Sequence, residues 1–359
     1  MGKIHAALRF DGLRFTSWII IKGCSIIWID CFRDVDFTSY TEQSAQFMEG
    51  ERDLSKILGK NGPWLYPALH IYLFALVYKL VGVSENIKYA QIFMLLVHVV
   101  TCIFTVKIYS AAFGKKSKYK WLAAICWLGT KVIVNSVRIW YAESIDVMFI
   151  YIGIYMFQKQ SSLLGSLFIS VAIGFKMSVL LYMPGVYYLV SKSHNIFIGT
   201  FCIIVILLMQ EAWALPFTAN YGNEYRANAF KFDRNFSING SINYHWLLYS
   251  PWFHSKLFKR SLLVCHLCCL LFVLFKRWLP LLDKQQRFKI SSILKQFGLC
   301  PPNPWMKFKP QEQYFVAEVL FIWNFIGWAW SRTLHQQFLV WYWFSIPLIM
   351  YAPIKQGLF

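Results

Sequence analysis

Apolar residues come in long blocks, broken by short polar or basic clusters. A helix needs about 20 mostly apolar residues to cross the hydrocarbon of a bilayer. Blocks of that kind occupy 13–32, 90–113, 120–137, 195–214, 260–280, 313–331 and 337–354. The region 144–192 is apolar with breaks at "QKQSS" and "GFKMS", which leaves room for three short or tilted spans. The pattern predicts an all-α integral membrane protein, a single polytopic domain over 1–359 with about ten transmembrane helices. One block is ambiguous. "YPALHIYLFALVYKLVGV", 66–83, is apolar enough to span, yet its Tyr, His and Lys side chains equally suit a helix lying at the interface.

Charge decides between those readings. The loop "GKKSKYK", 114–120, has four lysines, and 276–309 has eight Lys or Arg against one acid. The positive-inside rule puts both on the cytosolic side, together with the N-terminus, which carries Lys3 and Arg9, with Arg14 at the start of a first apolar run read as an uncleaved signal anchor. An even number of crossings must then precede residue 114, so 66–83 is expected to lie at the luminal interface. Residues 33–89, 138–144, about 176, 215–259 and 332–336 follow on the luminal side, and 281–312 forms a basic cytosolic loop. The sequons at Asn235 and Asn239 fall in a luminal loop on this topology.

The composition is 57% hydrophobic and 19% aromatic, with a mean hydropathy of +0.45. A net charge of +19 on such a chain reports membrane orientation rather than a nucleic-acid surface, because no exposed basic domain is available to a duplex. Nine cysteines are scattered, and Cys265, Cys268 and Cys269 lie inside an apolar run, where packing in lipid is expected rather than a metal site or a disulfide framework. No Gly-rich phosphate cradle, HExxH or GxSxG pattern occurs, and the loops are too short for a soluble nucleotide-binding domain.

Candidate chemistry gathers on the predicted luminal side. Asp34 and Asp36, in "RDVDFTSY", directly follow the first span. Hydration is the ordinary fate of such acids, but a carboxylate partly shielded by the membrane keeps enough basicity to take a proton from a hydroxyl. Two acids two residues apart share a face in a strand and not in a helix, so one base and one assistant are expected rather than a matched dyad. Arg138 with Glu143, Lys176, Arg234 with Asn243, and Arg332 with His335 stand at luminal segment ends. Each cation alone reads as a snorkelling anchor. Four of them near a carboxylate also meet the needs of a site that handles a lipid phosphate. Asp146 and Glu318, inside apolar runs, are expected to be paired within the bundle. "GKNGPWLYPALH", 59–70, has the Gly and Pro content of a defined turn leading into a helix, with His70 read as structural and Tyr66 and Tyr72 as packing or path-lining rings.

"DVDFTSYTEQSAQFMEGERDLSKILGKNGPWLYPA", "GFKMSVLLYMPG" and "NFIGWAWSRTLHQQFLVWYWFSIP" resemble, in order over about 30–350, the endoplasmic-reticulum dolichyl-phosphate-mannose-dependent α-1,3-mannosyltransferase family. The resemblance implies a GT-C type helical bundle with luminal interfacial helices and an active site facing the lumen. It further implies a dolichyl-phosphate mannose donor, a dolichyl-diphosphate-linked oligosaccharide acceptor and no metal or cofactor. Asp36 takes the position of the expected base. Asp34, Arg138, Lys176, Arg234, Asn243, Arg332 and His335 are the expected substrate-binding residues. A lipid or sugar transporter, or a sister GT-C mannosyltransferase with another acceptor, are the alternatives that residues alone leave open.

Overall fold

The computed structural model describes residues 35–81, 87–114, 122–123, 142–231, 241–278 and 310–355. The expected span 13–32, all of 120–137 but 122–123, all of the loop 281–312 but 310–312, and Asp34, Arg138 and Arg234 lie outside the described residues. What is described is mostly helical. Helix α1 (Val35–Met48) leads into a two-stranded hairpin, β1 (Leu58–Gly59) and β2 (Gly62–Pro63), and then α2 (Ala68–Val81). Helix α3 (Ile87–Phe113) is followed by α4 (Glu143–Gln158), α5 (Ser162–Phe175), α6 (Met183–Ser193) and α7 (Ile196–Ala229). The rest comprises α8 (Lys256–Val273), α9 (Pro310–Ala329) and α10 (Ile346–Lys355), with short helical turns at Pro251–His254 and Val340–Trp343.

Helix α2 has 14 residues, about 21 Å of rise against a hydrocarbon thickness of about 30 Å. It is too short to cross upright, and Ile71, Phe74 and Val77 turn inward against α1 and the start of α3. Region 144–192 resolves into α4, α5 and α6, with a 3-10 turn (Met177–Tyr182) before α6. Helix α4 is the centre of the bundle, packed on α3, α5 and α9. Small residues permit its close approach to α5: Ser162, Gly165, Ser166 and Ser170 are buried, and a Cβ on Gly165 would sit 2.7 Å from the Phe157 ring.

Among the described residues, three helices are long and apolar enough to cross a membrane: Lys88–Phe113, Ile196–Ala229 and Lys256–Trp278. Helix α7 begins at an Asn195 cap, whose side chain accepts from the Ile198 amide. It contains Pro216 and breaks at Tyr221, where φ −131° and ψ 41° leave the helical region. The apolar stretch before Pro216 rises about 30 Å, and the polar "NYGNEYR" beyond it carries the chain out of the apolar layer. Phe197, Phe201, Ile204, Leu208 and Leu215 are exposed at helical spacing on one side of α7, as are Leu257, Val264, Leu267 and Leu271 on α8. These stripes are the surfaces expected to meet lipid tails. Cys265, Cys268 and Cys269 of α8 are free thiols.

Two large apolar cores result. One joins α3, α4, α5, α6, α9 and the C-terminal turns, and the other joins α1, the residues flanking the hairpin, α2, the first half of α3 and the outer half of α7. Buried charge is matched locally. Glu318 on α9 pairs with Arg277, while Asp146 on α4 accepts from the Trp341 indole (3.1 Å) and from the Val147 amide (2.8 Å). Each acid thus finds its own partner, and the two do not meet each other.

Candidate active site

Four separate parts of the chain enclose a cavity of about 550 Å³. Tyr66 enters from the segment before α2, Lys176 and Met177 from the end of α5, and Ser331, Arg332 and Thr333 from the segment after α9. Helix α8 supplies Lys259, Leu262, Leu263 and His266, the i, i+3, i+4 and i+7 positions of one face. The lining is therefore amphipathic: Arg332, Lys176 and Lys259 contribute positive charge, and leucines and tryptophans supply apolar wall.

The "SRTLHQQF" seam is held in place by the loop before it in the fold. Asn243 Nδ2 donates to the Trp328 and Ser331 carbonyls (3.0 and 2.9 Å), tying the loop to the end of α9. The Ile242 amide donates to the Leu334 carbonyl (2.7 Å), and the Leu334 amide donates to Ser241 Oγ (3.2 Å). Asn243 thus braces the segment that carries Arg332. The guanidinium of Arg332 lies 5.3 Å from the centre of the Phe253 ring, and partial burial draws its pKa below the ordinary value. His335, expected to act beside Arg332, does not line the cavity. It sits edge-on to Phe338 (5.7 Å), which does.

Lys176 sits above an aromatic floor. Its ammonium is 4.5 Å from the Trp341 ring and 4.8 Å from Phe338, and these rings stack on each other at 4.3 Å while Trp341 stacks on Trp328 at 4.0 Å. Glu143 Oε1 accepts from Lys176 Nζ at 2.6 Å, with both side chains largely buried. This contact gives Glu143 a place that spacing alone left open. The two residues are 33 apart, and only the packing of α4 on α5 joins them.

Asp36 occupies the first turn of α1, where a carboxylate is favoured by the helix dipole. It does not line the cavity directly. One turn further along, Tyr40 meets Tyr66 hydroxyl to hydroxyl at 2.7 Å, and Tyr66 is part of the cavity wall. Burial first, then Tyr66, Asp36 and Glu143, push the Tyr40 phenol well above its ordinary value. Asp36 on α1 and Glu143 on α4 thus both bear on this one phenol. His70 is a packing residue, stacked between Tyr66 (4.2 Å) and Phe74 (4.8 Å).

The other acids of the predicted luminal loop have local tasks. Glu51 Oε1 accepts from the Arg52 and Asp53 amides, each at 2.8 Å. Asp53 accepts from Ser55 and pairs with Lys56. Glu42 Oε2 accepts from the Lys60 amide (3.3 Å). Asn61, which composition showed only as part of a turn, donates its amide to Asp36 Oδ1. Lys259, just ahead of an apolar run, and His266, inside it, were not marked by the sequence pattern; their i, i+7 spacing on α8 puts them on one face.

A helical bundle with helices long and apolar enough to cross a membrane, and a cavity lined by cations and aromatic rings, defines the class: a helical membrane protein. The chain belongs to the ALG3 protein family, whose model matches residues 16–356. It is similar to the Dol-P-Man:Man(5)GlcNAc(2)-PP-Dol alpha-1,3-mannosyltransferase of Kluyveromyces lactis, 30% identical over 340 residues, covering 89% of this chain and 70% of that protein. The proteins of the same name from Cryptococcus neoformans var. neoformans and Homo sapiens are 29% and 26% identical, covering 98% and 97% of this chain and 81% and 75% of theirs. No solved structure matches it.

Proposed function

We propose that this protein moves mannose from dolichyl-phosphate mannose to the lipid-linked pentamannosyl N-glycan precursor, forming an α-1,3 linkage at the luminal face of the endoplasmic-reticulum membrane. Membership of the ALG3 family carries this reading. The cavity supports it, since an anionic headgroup on a long apolar chain needs positive charge at one end of its site and apolar wall at the other. The fold is read as a GT-C type bundle of about ten spans, with 33–89 and 215–259 luminal and 281–312 cytosolic.

The donor is β-linked and the product α-linked, so one displacement inverts the anomeric carbon. The acceptor's 3-hydroxyl oxygen forms the new bond as the bond from the anomeric carbon to the phosphate oxygen breaks. Asp36 receives the hydroxyl proton, and dolichyl phosphate leaves with the electron pair. The leaving group is already a weak base, so the need is for charge compensation rather than a general acid. Arg332 fits that role because its fork holds two phosphate oxygens. Lys176 is held by Glu143 over the aromatic floor and adds a second positive group along the wall. His335, Arg138, Arg234 and Asp34 remain proposed substrate contacts, and Asn243 serves by holding the Arg332 segment.

The test is transfer in detergent by the purified protein supplied with dolichyl-phosphate mannose and the pentamannosyl acceptor. A hexamannosyl product with a new α-1,3 linkage is expected. A different linkage would point to a sister transferase, and the absence of product to a transporter, which needs two compartments.

A further inference from the structure

We infer that Asn61 is a positioning residue for the reaction, held at the tip of the β1–β2 hairpin so that its side-chain amide orients the Asp36 carboxylate; this rests on Asp36 being the base. Asn61 Nδ2 donates to Asp36 Oδ1. The contact is not a chance meeting of two surface side chains, because the hairpin is fastened to the helix that carries Asp36. Gln43 Nε2 donates to the Gly62 carbonyl (2.8 Å) and Gln46 Nε2 to the Leu58 carbonyl (2.5 Å). The Leu58 amide donates back to Gln46 Oε1 (3.0 Å), and the Asn61 amide to Ser39 Oγ (3.3 Å). Asp36, Ser39, Gln43 and Gln46 are spaced 3, 4 and 3 apart, so one stripe of α1 bears both the base and the fastenings of its donor.

Backbone proximity makes the arrangement specific. A Cβ on Gly59 would fall 2.3 Å from Ser39 Oγ and 2.8 Å from its carbonyl oxygen. Only glycine lets the strand lie this close to α1. The hairpin then buries little of itself, and its tip residues Lys60 and Asn61 are exposed. Its design delivers a donor to Asp36 rather than adding to a core. Among the described residues, the ionisable groups nearby include Tyr40 on the same helix, the Lys60–Glu42 pair beside the tip, and Glu143 on α4. Asn61 is the neutral donor among them, and a hydrogen bond to a carboxylate favours its charged form and fixes its plane.

The experiment measures kcat/KM against pH for detergent-purified wild type, Asn61→Ala, Asn61→Asp and Asp36→Asn, with folding followed by gel filtration. Asn61→Ala is expected to lower kcat/KM about tenfold or more, the scale of a lost hydrogen bond to a charged group. Its acid limb should move upward by roughly one pH unit or less. Asn61→Asp, of nearly the same shape and so safe for the hairpin, should move that limb further, because a second carboxylate raises the base's pKa. A lower rate with an unmoved acid limb in both variants would mean support of the fold only and would overturn the proposal. Wild-type behaviour of both, with Asp36→Asn inactive, would overturn it while leaving the base in place. Activity in Asp36→Asn would remove the base itself, and the positioning role with it.

Discussion

In the proposed mechanism Asp36 is the proton acceptor and Arg332 the charge clamp, and a conservative substitution tests each role. Asp36→Asn keeps the side-chain volume and the contact with Asn61, and is expected to abolish transfer in a protein that still elutes as folded. Arg332→Lys keeps the charge but loses the fork, and turnover should fall roughly 10- to 100-fold, as expected for loss of a two-point contact to phosphate. The Lys176–Glu143 pair gives a separate stability prediction. With side-chain exposures of 12% and 6%, the pair is buried enough that Glu143→Gln leaves an uncompensated ammonium, at a cost of about 3 kcal/mol or more. A lower melting temperature in detergent is the expected result, and Glu143→Gln combined with Lys176→Met should recover part of the loss. An unchanged melting temperature in the single variant would show that water reaches the pair freely.

At the scale of elements, the sequence pattern made the helices legible and left their partnerships hidden. Polar breaks at "QKQSS" and "GFKMS" marked the ends of α4 and α5, and Gly and Pro marked the turn before α2, since these are local properties of the chain. The Asn61–Asp36 contact spans 25 residues, Lys176–Glu143 33, and Asn243–Ser331 88. No periodicity encodes such distances. The Asn243 brace yields its own prediction: Asn243→Ala frees the end of α9, so donor KM should rise more than kcat falls. The segment between α1 and β1 adds a pH dependence. Glu51 is held below its ordinary value by the Asp53 and Arg52 amides, and Asp53 by its bond from Ser55. A carboxylate with a lowered folded pKa stabilises fully above its unfolded value of about 4. Protection of 49–57 from proteolysis should therefore persist at pH 5 and disappear only as pH falls below that range. Asp53→Asn should flatten the profile.

Across the whole molecule, the apolar stripes of α7 and α8 and the shortness of α2 carry the membrane account. An arginine on the lipid-facing side, as in Leu208→Arg, is expected to cost about 2.5–3.5 kcal/mol of insertion and to lower the membrane-integrated yield. The same change at Asn61, on the predicted luminal loop, should leave insertion unaffected. The central claim is that a carboxylate near the first crossing and a guanidinium near the chain's end work on one luminal site. Impermeant thiol labelling in sealed microsomes tests it, using single cysteines at Asn61, Arg332 and Lys116 in a background without native cysteines. Lys116→Cys should label in intact vesicles, and Asn61→Cys and Arg332→Cys only after the membrane is opened. Labelling of Asn61→Cys and Arg332→Cys from opposite sides would contradict the account.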